Sequence, residues 1–281
     1  MALKIEKPLV DADWLFQHLN DENLIVLDAT LPKVTANNKA VTDEKIQIKN
    51  ALFFDLKNEF SEANALYPNT VLSAEKFEVK AQQLGINNDS CIVVYDDLGI
   101  YSAPRVWWLF QLMGFTNVAV LNGGLPEWKL KKYPIEKPKS HQLVRGNFTV
   151  NYQSEKLKYT NDVLSVIEND TILIADARSK SRFYATAPEP RADVKGGHIP
   201  NSVSLPYSDI INNGKLKSAK ELQYIFSEIN PKNKVMIFSC GTGITASVLA
   251  LGAELVGRKN HSVYDGSWTE WGTTADLPIQ K

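Results

Sequence analysis

Along this chain, short apolar runs alternate with polar stretches that carry the residues of turns. Ile25-Val26-Leu27, Ile92-Val93-Val94-Tyr95, Leu173-Ile174-Ala175 and Val235-Met236-Ile237-Phe238 are continuous apolar segments, the pattern expected of strands covered on both faces. Between them lie stretches of helical character, such as Ser247 to Ala253. Strands alternating with helices predict an α/β fold built on mostly parallel sheets flanked by helices.

The pattern also repeats. Ile25-Val26-Leu27-Asp28-Ala29-Thr30 returns as Leu173-Ile174-Ala175-Asp176-Ala177-Arg178, and Ile92-Val93-Val94-Tyr95-Asp96 as Met236-Ile237-Phe238-Ser239-Cys240. Asn122-Gly123-Gly124-Leu125-Pro126-Glu127-Trp128 returns as Asp265-Gly266-Ser267-Trp268-Thr269-Glu270-Trp271. The offsets, 143 to 148 residues, suit a duplicated domain and are too long for a solenoid repeat. The expected division is a first domain over 1–135, a linker over 136–158 and a second domain over 159–281. The linker is placed where Lys129 to Lys139 brings two prolines and many lysines and the apolar rhythm lapses. A long irregular stretch, Ser179 to Gly197, interrupts the second domain, and long loops in compact domains are usually functional.

Residues 239 to 246 read Ser-Cys-Gly-Thr-Gly-Ile-Thr-Ala. They set one of only two cysteines where a strand hands over to a helix. Glycines at 241 and 243 let the backbone turn successive N–H groups inward, and the following helix adds partial positive charge there. Such a loop suits an anion: the Cys240 thiolate or whatever becomes attached to it. Asp96 stands at the equivalent position of the first half, so only the second half carries the nucleophile. Cys91 opens an apolar run, has no glycine after it, and reads as a core residue.

Composition narrows the partners. A net charge of -1 with intermixed signs leaves no polybasic footprint for nucleic acid or membrane. No apolar stretch nears the length of a membrane span and the start lacks the apolar core of a secretory signal, so a cytoplasmic protein is expected. Two cysteines and the scattered His18, His141, His198 and His261 imply neither a disulfide framework nor a metal site. A cysteine-dependent phosphatase needs an arginine six positions after the cysteine, and that position is Ala246. A papain-like protease needs a histidine base, and none of the four has a recognisable setting.

The loop Cys240-Gly241-Thr242-Gly243-Ile244-Thr245-Ala246 resembles the active-site loop of the rhodanese superfamily, in particular the pattern of 3-mercaptopyruvate sulfurtransferases. Tyr101-Ser102-Ala103-Pro104-Arg105-Val106-Trp107-Trp108, Pro188-Glu189-Pro190-Arg191, Gly197-His198-Ile199-Pro200 and Tyr264-Asp265-Gly266-Ser267-Trp268 agree with it, so the resemblance spans both halves. It implies two tandem rhodanese-like domains, the first without a nucleophile, and a reaction through a Cys240 persulfide with no cofactor. The expected partners are a small-molecule sulfur donor and a thiol acceptor such as thioredoxin or a low-molecular-weight thiol.

The resemblance also assigns residues. Gly241, Gly243, Ile244 and Thr245 line the loop that binds the donor and the persulfide, and Arg182 and Arg191 match the arginines that bind a donor's carboxylate and keto oxygen. Thiosulfate-using members carry cationic side chains just after the cysteine. Gly241 and Thr242 are neutral, which favours mercaptopyruvate over thiosulfate. A non-catalytic persulfide carrier is a third possibility of a different class. Asp176 and Arg178 look like an Asp-x-Arg that orients the cleft by ion pairing. Thr242 matches a hydroxyl residue that works with an aspartate and a histidine of the first domain in mammalian-type enzymes. Aligned on Phe53-Phe54-Asp55-Leu56, those positions read Lys57 and Ala65. The relay is therefore not expected, and Thr242 is left as a hydrogen-bond donor to the leaving sulfur.

Overall fold

The computed structural model describes residues 2–31, 45–140 and 142–281; His141 lies outside them. The chain folds into two compact units. The first comprises 1–63, 71–152 and 213–215, and the second 64–70, 153–212 and 216–281.

Each unit is built on a five-stranded parallel sheet. In the first, β1 (Leu9–Val10), β2 (Leu24–Asp28), β3 (Leu52–Phe53), β4 (Cys91–Tyr95) and β5 (Val118–Leu121) lie in the order β1-β5-β4-β2-β3. In the second, β6 (Leu157–Lys158), β7 (Ile172–Asp176), β8 (Val203–Ser204), β9 (Val235–Ser239) and β10 (His261–Tyr264) lie in the order β6-β10-β9-β7-β8. The two orders are the same topology. The register repeats too: Asp28 stands beside Tyr95, and Asp176 beside Ser239.

The buried strands explain the continuous apolar runs. All of β4 is buried because the parallel sheet is covered on both faces. Among the covering helices, α1 spans Ala12–His18, α2 Ala74–Gln83, α3 Ala103–Leu112 and α4 Gly124–Leu130. In the second unit, α5 spans Thr160–Leu164, α6 Lys180–Phe183, α7 Ala219–Ile229, α8 Ala246–Leu255 and α9 Ser267–Thr273. Helix α7 shows the local logic. A capping box of Ser218 and Glu221 opens it, and Leu222 and Phe226, four residues apart, give it one buried face. Helices α3 and α8 instead bury nearly every residue, including Trp107 and Trp108 in α3. Each begins just beyond the C-terminal end of a central strand, where open α/β sheets form their clefts.

The expected linker divides between the units. Residues up to Tyr152 belong to the first, where Phe148 is fully buried within 6.0 Å, centroid to centroid, of the Phe77 and Phe110 rings and 5.6 Å of Phe115. Backbone bonds from Gly146 to Gln82 and from Asn151 to Met113 hold the segment there. Phe148→Ala is expected to destabilise the first unit by about 3–5 kcal/mol, read from urea denaturation followed by circular dichroism. A loss below about 0.5 kcal/mol, as at a surface position, would show that the segment is not part of that core.

Candidate active site

The carboxyl end of β9 delivers Cys240, and six residues later α8 begins at Ala246. Gly243, at φ +78°, lets the intervening loop reverse direction. Cys240 is only 1% exposed. Two sets of hydrogen bonds fix the loop around it. The first N–H groups of α9 close on its carbonyls: Trp268 N–H donates to Cys240 at 2.9 Å and Thr269 N–H to Gly241 at 3.0 Å. From the other direction, the N–H groups of Cys240 and Gly243 both donate to Ser267 Oγ at 3.2 Å. The Ser267 proton goes to the Tyr264 carbonyl at 2.8 Å, and Cys240 Sγ lies 4.0 Å from Ser267 Oγ.

Ser267 holds this position with φ +50°, a left-handed backbone that a side chain adopts at a cost. Its counterpart in the first unit is Gly124, at φ +52°. There a Cβ would stand 2.3 Å from the Asp96 carbonyl oxygen, so only glycine fits. The left-handed position is therefore repeated, and only the copy beside the cysteine carries a hydroxyl.

The first unit also displays what the loop is shaped to hold. The Asp96 carboxylate accepts N–H bonds from Leu98, Tyr101, Ser102 and Ala103 at 2.8–3.0 Å. Burial raises the pKa of this carboxyl group, and the four donors offset part of that. Counting back from the starts of α3 and α8, the last three donors correspond to Ile244, Thr245 and Ala246. In the second unit those three N–H groups donate to no other described residue. Asp96 thus fills internally a nest that the second unit leaves open beside a thiol.

Around the open nest lies a network of charges. Arg178, buried and stacked 4.3 Å over the Trp268 ring, pairs with Asp176 at 2.7 Å and with Glu189 at 2.7 Å. The other carboxylate oxygen of Glu189 takes Arg182 Nη2 at 2.5 Å. This pairing turns Arg182 toward the loop, where Nη2 would lie 3.4 Å from a Cβ built on Gly241. Arg191 Nη1 donates to Thr269 Oγ1 at 3.4 Å, on the helix whose N-terminus clamps Gly241. His198 stacks on Phe183 at 3.8 Å and donates to its carbonyl, and burial lowers its pKa.

Thr242 is 7% exposed, and its hydroxyl accepts a hydrogen bond from Asn69 Nδ2 at 3.0 Å. The sequence alignment put the partner positions of this hydroxyl at Lys57 and Ala65; the residue that meets it is Asn69. The segment 64–70 belongs to the second unit, and its Tyr67-Pro68-Asn69-Thr70 turn presents Asn69 at φ +63°. Asn69, Glu189 and Ser267 are the site residues that sequence reasoning did not single out. Only Ser267 had a visible signal, as the hydroxyl residue opposite Gly124 in the internal repeat.

The model of the rhodanese-like domain family matches residues 11–131 and again 160–274. The chain belongs to that family. This rhodanese-like chain is 34% identical over 274 residues to 3-mercaptopyruvate sulfurtransferase of Escherichia coli, covering 96% of the chain and 97% of the relative. It is 34% identical over 277 residues to thiosulfate sulfurtransferase of Mus musculus, covering 94% and 92%. The crystal structure of SseA from Escherichia coli, a rhodanese fold, superposes with a TM-score of 0.80 at 31% identity, covering 93% of this chain and 99% of that one. Full-length likeness of this degree makes the rhodanese-like chain an enzyme of the sulfur-group transferase class, similar to 3-mercaptopyruvate sulfurtransferases.

Ser267 bears on both the reactivity of Cys240 and the stability of the second unit. Ser267→Gly relieves the left-handed backbone but removes the acceptor that holds Cys240 and Gly243. It is expected to lower the melting temperature by less than Ser267→Ala does, since the relieved backbone offsets part of the loss of two buried hydrogen bonds, while slowing reaction of Cys240 with iodoacetamide by about tenfold. Ser267→Ala should slow it similarly and melt lower. Equal alkylation rates in all three proteins would remove the hydroxyl from the site.

Proposed function

We propose that the protein transfers the sulfur of 3-mercaptopyruvate to a thiol or cyanide through a persulfide on Cys240. What supports the choice of donor is the neutrality of Gly241 and Thr242 next to the nucleophile, together with guanidinium groups that come from the 179–197 stretch and not from the loop itself. Relatives named for mercaptopyruvate and for thiosulfate are both 34% identical to the chain, so identity alone does not choose between donors. The loop chemistry supports the keto acid. A dianionic thiosulfate needs cationic side chains at the loop, whereas a keto acid presents a planar carboxylate to guanidinium forks at one end and a neutral thiol at the other. Arg191 meets a hydroxyl rather than a carboxylate among the described residues, and this leaves it the stronger candidate for the donor's carboxylate. Arg182, held by Glu189, keeps its edge beside Gly241 and suits the keto oxygen.

The steps balance without a cofactor. The Cys240 thiolate attacks the donor sulfur, an S–S bond forms, and the C–S bond breaks with its electron pair moving onto the carbon as the pyruvate enolate. The enolate takes up one proton to leave as pyruvate, and the new persulfide gives up its S–H proton to solvent, so the protons balance. The nest of Ile244, Thr245 and Ala246 N–H groups stabilises the persulfide anion, in the way the matching groups hold Asp96. A second thiolate attacks the outer sulfur, takes it away and restores Cys240. Thioredoxin or a low-molecular-weight thiol suits this step, and the cytoplasm supplies both. No helix among the described residues is long and apolar enough to cross a membrane.

Mass spectrometry after exposure to mercaptopyruvate is expected to show one added sulfur on the peptide containing Cys240, and Cys240→Ser should abolish both loading and turnover. A higher kcat/KM with thiosulfate would overturn the donor. Loading only from a cysteine desulfurase would make the protein a carrier. Arg191→Ala should raise KM for mercaptopyruvate by about tenfold or more, with a smaller rise for thiosulfate; equal rises would mark the arginine as structural.

A further inference from the structure

Resting on that reading, we propose that Asn69 is the positioning residue of the reaction: it fixes the direction of the Thr242 hydroxyl proton and, being an amide, takes no proton itself. Thr242 Oγ1 is an acceptor in its bond from Asn69 Nδ2 at 3.0 Å, and among the described residues it donates to none. A hydroxyl has one proton and two lone pairs. With the amide N–H on one lone pair, the proton lies in another direction. Thr242 is two residues from Cys240 in a loop whose backbone is held by Ser267 and α9. The free direction therefore belongs to the transferring sulfur, which stands against Cys240 Sγ during attack.

Asn69 is placed for this by its own turn. Proline at 68 and a left-handed residue at 69 suit a type II turn, and asparagine is among the few side-chain-bearing residues that adopt that backbone readily. The Thr70 hydroxyl closes the turn by donating to the Tyr67 carbonyl at 2.8 Å. The amide thus reaches Thr242 from a fixed backbone. Asn69 orders the hydroxyl and adds no acid or base, so Thr242 acts by hydrogen bonding alone.

Direction of polarity gives a test that a merely structural residue would not satisfy. Asn69→Asp keeps the shape and the left-handed backbone but replaces a donor by an acceptor, which turns the Thr242 proton toward itself. Asn69→Gly keeps the backbone and removes the partner. The expected order of kcat is wild type above Gly above Asp: Gly about fivefold lower and Asp about fiftyfold lower. These values are read per active site titrated at Cys240, so that unfolded protein does not count. In a Thr242→Val background, Asn69→Gly should change kcat no further, because the two act as one unit.

An Asp variant faster than the Gly variant, or effects of Asn69→Gly and Thr242→Val that multiply, would overturn the proposal while leaving the sulfurtransferase reading intact. Wild-type protein that loads from thiosulfate and not from mercaptopyruvate would overturn the donor instead. The same variants measured with thiosulfate then carry the test, since the transferring atom is sulfur in either case.

Discussion

The Ser267 hydroxyl holds together the loop that carries Cys240. It accepts the N–H groups of both Cys240 and Gly243 and anchors itself on the Tyr264 carbonyl, so strand end, loop and final helix meet at one oxygen. The left-handed backbone at Ser267 is tolerated because buried donors at Cys240 and Gly243 would otherwise be left without a partner. With those two N–H groups occupied, the remaining ones at 244 to 246 are free to face an anion. Ordering of the nest and strain at Ser267 are two sides of one constraint.

Duplication supplies an internal comparison. Both units share a strand order and register, and in both a buried helix starts just beyond the central strand. In the first unit a carboxylate built into the chain saturates the nest, and Gly124 replaces the hydroxyl. There the anion is part of the chain. In the second unit a thiol stands at the matching position, and the nest beside it is left without an internal anion.

Charge is arranged around the nest in the same economical way. Arg178 is fully buried, and its two carboxylate partners offset the desolvation of its guanidinium. Glu189 serves Arg178 and Arg182 together, so the buried pair also orients the half-exposed one. Removing one member would leave an unpaired buried charge, which explains why so irregular a stretch as 179–197 can hold guanidinium groups in place.

Much of this was legible in the residues themselves. Continuous apolar runs at a repeated offset specify buried parallel strands in two copies, because that burial demands apolar residues at every position. The glycine pattern around Cys240 specifies a turn that collects N–H groups, because backbone geometry there is local. Aspartate opposite cysteine distinguishes the copy that carries a thiol from the copy that does not. Three things were decided only by tertiary structure: that residues 64–70 join the second unit, that Asn69 rather than position 57 or 65 meets Thr242, and that Phe148 belongs to a core. Each rests on contacts between residues far apart in sequence. Such contacts depend on how packed elements bring their side chains together, and no local spacing encodes that.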